Sequence, residues 1–204
     1  MNNISKGYII LGAGGHGAVI ADILRRCGSD FLGFLDDTLP LGSEILSAKI
    51  LGKFNNCIDY PDALFIIGLG YNDQRKKVAE TYDIKYGIAI HPGAIIGESV
   101  EISAGTVVMA GGIINPRTTI GEHCIINTNA SVDHDNKLGS FVHISPSAAL
   151  AGHVQIGNNT HIGIGAVVKN EISICSDTII GAGAAVVKNI TTPGTYVGVP
   201  ARKI

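Results

Sequence analysis

The stretch SVDHDNKLGSFVH, Ser131 to His143, sets His134 between two aspartates and places His143 nine residues on. An imidazole can take or give a proton near neutral pH, and a neighbouring carboxylate such as Asp135 can stabilise its charged form. Those residue types fit general acid–base chemistry. They also fit polar residues in solvated turns, and the stretch alone leaves both readings open. A second cluster, GAGGHG, carries Gly12, Gly14 and Gly17 in G-x-G-x-x-G spacing around His16, with Asp36 nineteen residues beyond Gly17. Between a strand and a helix, such glycines allow a tight turn and a close backbone approach, and the helix N-terminus favours a phosphate. The loop therefore reads as a seat for the diphosphate of a nucleotide-sugar, for NAD, or as a structural turn. His16 would lie beside that ligand or be exposed in the loop.

The elements that must position these residues follow two rules. From Ile90 in steps of six to Val186, all seventeen positions are Ile, Val or Leu. Period six is neither helical nor simple strand alternation, and it marks a repeat architecture. Four steps after each aliphatic the residue is mostly small: Thr106, Thr118, Cys124, Ala130, Ala148, Thr160, Ala166 and Ala184. Three hexapeptides make a triangular coil of 18 residues, aliphatics inward and turns at the corners. This is the hexapeptide-repeat parallel β-helix, left-handed in the families that carry it. By phase His134, Asp135, His123 and His153 fall at corners, and His143 and His161 stack one coil apart. No histidine takes an inward position, so a buried core histidine is not expected. The tail TTPGTYVGVPARKI leaves the period as a cap.

Residues 1–88 read instead as alternating strands and helices: a strand Tyr8–Leu11, a helix from about Ala18 to Arg26, a strand ending at Asp36 and Asp37, and a strand in ALFIIGLG. A helix over NDQRKKVAETY follows. That pattern predicts a small α/β, Rossmann-like domain of three or so strands, too small to cradle both halves of NAD. The β-helix domain is placed at 89–204.

Composition sets further bounds. Fifteen Lys and Arg against 17 Asp and Glu supply no basic surplus for nucleic acid or a membrane surface. Cys27, Cys57, Cys124 and Cys175 form no C-x-x-C pair, as expected in a reducing, cytoplasmic setting. The apolar start is too short for a signal peptide or a membrane span. Metal catalysis needs converging ligands. No two histidines have the five-residue spacing of the zinc carbonic anhydrases built on this repeat, so no metal is expected.

GAGGHG, FLDD, NTNASVDHD, FVHISPSAALAGHVQIG and GVPARKI together resemble the sugar O/N-acyltransferases of the sialic acid O-acetyltransferase family. Within it they look most like the UDP-4-amino-sugar N-acetyltransferases of bacillosamine-type pathways, over essentially the whole length. The resemblance implies a homotrimer with acetyl-CoA between neighbouring coils and a UDP-amino-sugar on the N-terminal domain, serving bacterial surface glycan or glycoprotein biosynthesis. It implies His134 as general base, Asp135 as the acid raising its basicity, and His143 at the acetyl-CoA thioester. Backbone contacts to the pantetheine fall on Ile164 and Ala182. Gly14, Gly15, His16, Asp36 and Asp37 match the UDP-sugar site, as do Gly70, Asn72 and Arg75 at the third strand's end. The loop lacks the serine hydroxyl that some relatives carry at Gly14. Acylation of a sialic acid hydroxyl and a non-catalytic nucleotide-sugar scaffold are the competing expectations.

Overall fold

The computed structural model describes residues 7–204, so the first six residues of the expected N-terminal domain lie outside the described residues. The chain divides into two compact units, one ending at Pro92 and one running from Gly93 to Ile204.

The first unit is a five-stranded sheet with the order β3-β4-β2-β1-β5. β1 (Tyr8–Leu11) pairs in parallel with both β2 (Phe31–Leu35) and β5 (Leu64–Ile67). These strands are near-continuous aliphatic runs, as sheets buried on both faces require, and Ile9, Ile10, Leu11, Leu35 and Ile66 have no exposed surface. Helix α1 (Gly15–Arg26) follows β1, and α2 (Asn72–Thr81) follows β5. The sequence reading missed β3 (Glu44–Ile45) and β4 (Ala48–Gly52), an antiparallel hairpin whose second strand pairs in parallel with β2. Its polar, glycine-flanked residues carry a weak strand signal, and tertiary pairing supplies the rest.

α1 begins three residues earlier than expected. Gly14 is extended at φ −73° and ψ −169° and serves as the N-cap, so His16 and Gly17 belong to the first helical turn and not to a loop. Gly17 is required there, because a Cβ would sit 2.0 Å from the Gly12 carbonyl oxygen. The third glycine of the motif thus seats the helix against the strand.

The second unit is a parallel β-helix. Strands two residues long stack into three faces, and each strand pairs with the one 18 residues away: Ile114 with Val132, Ile120 with Leu138, Ile126 with Ile144. The period-six aliphatic is the second residue of each strand. Fourteen consecutive ones, Val108 to Val186, are buried, whereas Ile96 at the first coil is exposed. Each coil covers its apolar face with the next, and the first has no earlier coil within the unit. The small residues four steps on are sealed inside, with Thr106, Thr118, Ala130, Ala148, Thr160, Ala166 and Ala184 all at zero exposure. At the C-terminal end Gly194–Val197 extends one face and Arg202–Lys203 closes it antiparallel. No helix among the described residues is long and apolar enough to cross a membrane.

Candidate active site

Two separate sites hold the predicted residues. In the first unit, Gly14, Gly15, His16, Asp36, Asp37 and Gly70 line one cleft of about 430 Å³, with Thr38, Phe54, Leu69, Tyr71 and Gln74 as further walls. The cleft opens beyond the carboxyl ends of β1, β2 and β5, where parallel sheets bind ligands. A Cβ at Gly14, Gly15 or Gly70 would meet nothing within 4 Å. These three glycines keep ligand space open, whereas Gly17 is needed for packing.

The charged residues of this unit divide into a brace and a wall. Asp36 Oδ2 accepts the Ala13 N–H at 2.9 Å; Oδ1 accepts the Thr38 N–H and hydroxyl at 2.8 and 2.6 Å and the Leu39 N–H at 3.0 Å. Burial alone would raise its pKa, but these hydrogen bonds outweigh burial and lower it to about 2. Asp36 therefore shapes the cleft by tying the glycine loop to the turn after β2. Asp37 Oδ1 accepts the Phe54 N–H at 2.9 Å. Arg75, 1% exposed, donates to the Leu69 and Gly70 carbonyls and to Asn72 Oδ1. Arg75 and Asn72 thus hold the loop after β5 from beneath and are not among the cleft's walls. His16 is held neutral, its pKa lowered to about 4 by burial and by the Arg75 charge. Its buried Nε2 has no hydrogen-bond partner.

In the second unit the DHD motif forms a turn at the corner between the strands Ser131–Val132 and Lys137–Leu138, with Asp135 at φ +59°. His134 Nδ1 donates to Asp135 Oδ2 at 2.7 Å. Asp133 is turned aside, its Oδ1 accepting from Asn115 Nδ2 at 2.7 Å and the His134 N–H at 2.8 Å. Arg117, one coil earlier, grips Asp135 with two hydrogen bonds of 2.7 and 2.8 Å. Together with the His134 bond, that grip holds the Asp135 carboxyl well below the usual carboxylate range. His134 keeps its Nε2 as an acceptor on a side chain 46% exposed. The ring lies where a Cβ on Gly152 would intrude, 2.6 Å from Cε1 and 2.8 Å from Nε2.

Spacing along the chain did not reveal that coil stacking brings His153 to this corner. Its Nε2 is 3.7 Å from Asp135 Oδ2 and its ring meets His134 edge-on at 5.3 Å. His134, Asp135 and His153 are a trio of metal-ligating type. The expected lack of convergence is corrected on that point, though the Arg117 fork already neutralises the trio's carboxylate. The expectation that no histidine is buried also fails at His123. It sits at a corner as its phase requires but is 5% exposed, stacked on Phe141 at 5.2 Å.

His143 lies on a different face, in the strand His143–Ile144, paired with His161 and stacked on its ring at 4.7 Å. Asn127 Oδ1 accepts the Thr128 N–H, which turns its Nδ2 to donate to His143 Nε2 at 3.0 Å. Ile164 and Ala182 are exposed turn residues stacked coil on coil, where the Gly183 N–H donates to the Ile164 carbonyl at 2.8 Å. Within one chain the fold thus brings His134 to Asp135 but sets His143 on another face. A larger groove, about 650 Å³, runs past Lys137, Gln155 and Ser173 and holds none of the predicted residues.

Comparison with known proteins joins these sites to a family. Residues 8–82 match the PglD N-terminal domain. A 103-residue stretch, 46% of the chain, is 40% identical to the UDP-N-acetylbacillosamine N-acetyltransferase of Bacillus subtilis (strain 168) and spans about half of that relative (47%). Two solved structures match nearly end to end. The acetyltransferase domain of PglB from Neisseria gonorrhoeae FA1090, in complex with acetyl coenzyme A, has a TM-score of 0.91 at 32% identity, covering 98% of this chain and all of that one. A mutant of perosamine N-acetyltransferase from Caulobacter crescentus, in complex with CoA and GDP-perosamine, has a TM-score of 0.91 at 35% identity, covering 98% and 96%. With both units matched in order at this identity, the chain belongs to the sugar acyltransferase family of the bacillosamine and perosamine N-acetyltransferases.

Proposed function

We propose that the chain transfers the acetyl group of acetyl-CoA to the amino group of a UDP-linked 4-amino-sugar, with His134 as general base. The observation that carries this reading is the His134–Asp135 pair at an exposed corner, which keeps the proton on Nδ1 and the lone pair on Nε2. The amine attacks the thioester carbonyl carbon, and its N–H proton passes to His134 Nε2. The tetrahedral intermediate expels the CoA thiolate, which takes that proton back from His134, leaving amide and thiol. A placed base contributes roughly a hundred- to ten-thousand-fold, and the rigid coil adds positioning.

The cleft in the first unit suits the sugar nucleotide. Gly14 and Gly15 open the α1 N-terminus, whose first N–H groups have no partner inside the helix. Neutral His16 can accept or donate there without presenting a charge. His143, Ile164 and Ala182 are assigned to acetyl-CoA, and a homotrimer supplies the geometry, His134 of one subunit facing His143 of the partner subunit. The four free cysteines support a cytoplasmic location.

Purified protein given acetyl-CoA and UDP-linked, GDP-linked and sialic acid acceptors tests this directly. Acetylation of the UDP-4-amino-sugar, with His134→Ala losing two or more orders of magnitude in kcat, is the expected result. Turnover only of free or CMP-linked sialic acid would sink the acceptor assignment, and an active His134→Ala enzyme would sink the base.

A further inference from the structure

The repeat builds a ladder of charged side chains at one corner of the coil. Arg117, Asp135, His153 and Glu171 follow one another at intervals of 18 residues. All are in left-handed turns, with φ between 59° and 61°. Their N–H groups donate in turn to the carbonyls of Glu98, Pro116, His134 and Gly152, each one coil before. The four residues therefore leave the corner in register, and a carboxylate follows each basic side chain. Asp135 is the centre of the contacts. Arg117 Nε reaches Oδ1 at 2.7 Å and Nη2 reaches Oδ2 at 2.8 Å, a two-point fork across one coil step. The same Oδ2 receives His134 Nδ1 at 2.7 Å, while His153 Nε2 stays at 3.7 Å.

We propose that Arg117 is a positioning residue for acetyl transfer: its fork fixes the Asp135 carboxylate, and Asp135 then holds the proton on His134 Nδ1 so that Nε2 remains the acceptor. This rests on the reading of His134 as the base. A carboxylate bonded at one oxygen can swing about its Cβ–Cγ bond. A planar guanidinium bound to both oxygens stops that rotation, whereas an ammonium supplies charge without the fork. An imidazole whose Nδ1 proton is not held samples the other tautomer, with Nε2 protonated and unable to accept a proton. Arg117 is 64% exposed, so the fork's value lies in orientation more than in ion-pair strength. Asp133 does not compete for it, being bound to Asn115 and the His134 N–H.

The test uses the full chain with ¹⁵N-labelled histidine, comparing wild type, Arg117→Met and Arg117→Lys by steady-state kinetics and by the ring ¹⁵N shifts of neutral His134. Arg117→Met should lower kcat by about ten- to a hundredfold, the scale at which loss of a supporting partner acts. KM for both substrates should stay unchanged, and the His134 signal should move from Nδ1–H to a mixture of tautomers. Arg117→Lys should resemble Arg117→Met, because charge without the fork is insufficient. Arg26→Met, which removes an exposed ion pair with Asp22 on α1, should change neither readout. A normal kcat with the Nδ1–H tautomer retained would overturn the proposal, as would a change in either readout without the other. If His134→Ala keeps its activity, the base assignment fails instead, while the tautomer measurement still decides whether Arg117 orients the pair.

Discussion

The methyl group that Gly152 lacks would lie within 2.8 Å of His134 Nε2. Gly152→Ala therefore displaces the imidazole from Asp135 or shifts the turn beneath it. We expect kcat to fall about ten- to a hundredfold, the cost of roughly ångström-scale misplacement. KM for acetyl-CoA should hold, since Ile164 and Ala182 stand at another corner. Steady-state kinetics with both substrates varied checks this, and an unchanged kcat would mean that the ring is free to lie elsewhere. His134 and Asp135 were legible in the sequence because they are adjacent and form a motif. Arg117, Gly152 and His153 were not, because a step of about one coil separates them from the motif and only stacking brings them to it.

Element packing decides how firmly these residues are held. Asn136 is an inward polar residue where most coils place a small one, and it is fully buried. Its N–H donates to Thr118 Oγ1 at 3.2 Å, its Nδ2 to the Asp133 carbonyl at 2.7 Å, and its Oδ1 takes the Val154 N–H. One side chain thus ties together three successive coils directly beneath the DHD turn. Asn136→Ala leaves the Val154 N–H unpaired and should destabilise the β-helix by about 1–3 kcal/mol, measurable by denaturant unfolding. In the first unit, His16 has its pKa lowered from 6.5 to about 4. An unfolded chain binds that proton near 6.5 and the folded one does not. Stability linked to the neutral ring is therefore complete above ~6.5 and is lost as pH falls from ~6.5 to about 4, on the order of 3 kcal/mol. Asp36 adds a second loss lower down, as pH falls from ~4 to about 2. Hydrogen exchange across β1 and α1 should speed up through the upper window in wild type. It should be flat there in His16→Gln.

For the whole molecule, His134 at one corner and His143 on another face do not meet within one chain's coil. The trimeric reading makes each site depend on two chains. Co-assembled His134→Ala and His143→Ala subunits, each inactive alone, should then recover part of the activity, because some interfaces pair an intact His134 with an intact His143. Assays of mixtures refolded together and merely combined would separate assembly from simple addition. No recovery after confirmed mixing would place both histidines in the service of one chain.

The amino-acid sequence by itself determined the β-helix, its register and its inward layers. An aliphatic every six residues can be buried in only one way, and an 18-residue coil repeats that choice until the pattern ends. It also determined the strand–glycine–helix start, since Gly17 permits a contact that no other residue can make. Only the tertiary structure decided which glycines bound open space, that Asp36 and Arg75 brace the cleft, and that His123 is buried under Phe141. It also decided that one carboxylate receives a guanidinium and an imidazole from adjoining coils. The physical reason is distance: these outcomes depend on side-chain contacts of 2–4 Å between residues far apart along the chain. A repeat period specifies that coils stack, but the side chains that meet at each corner decide the contacts.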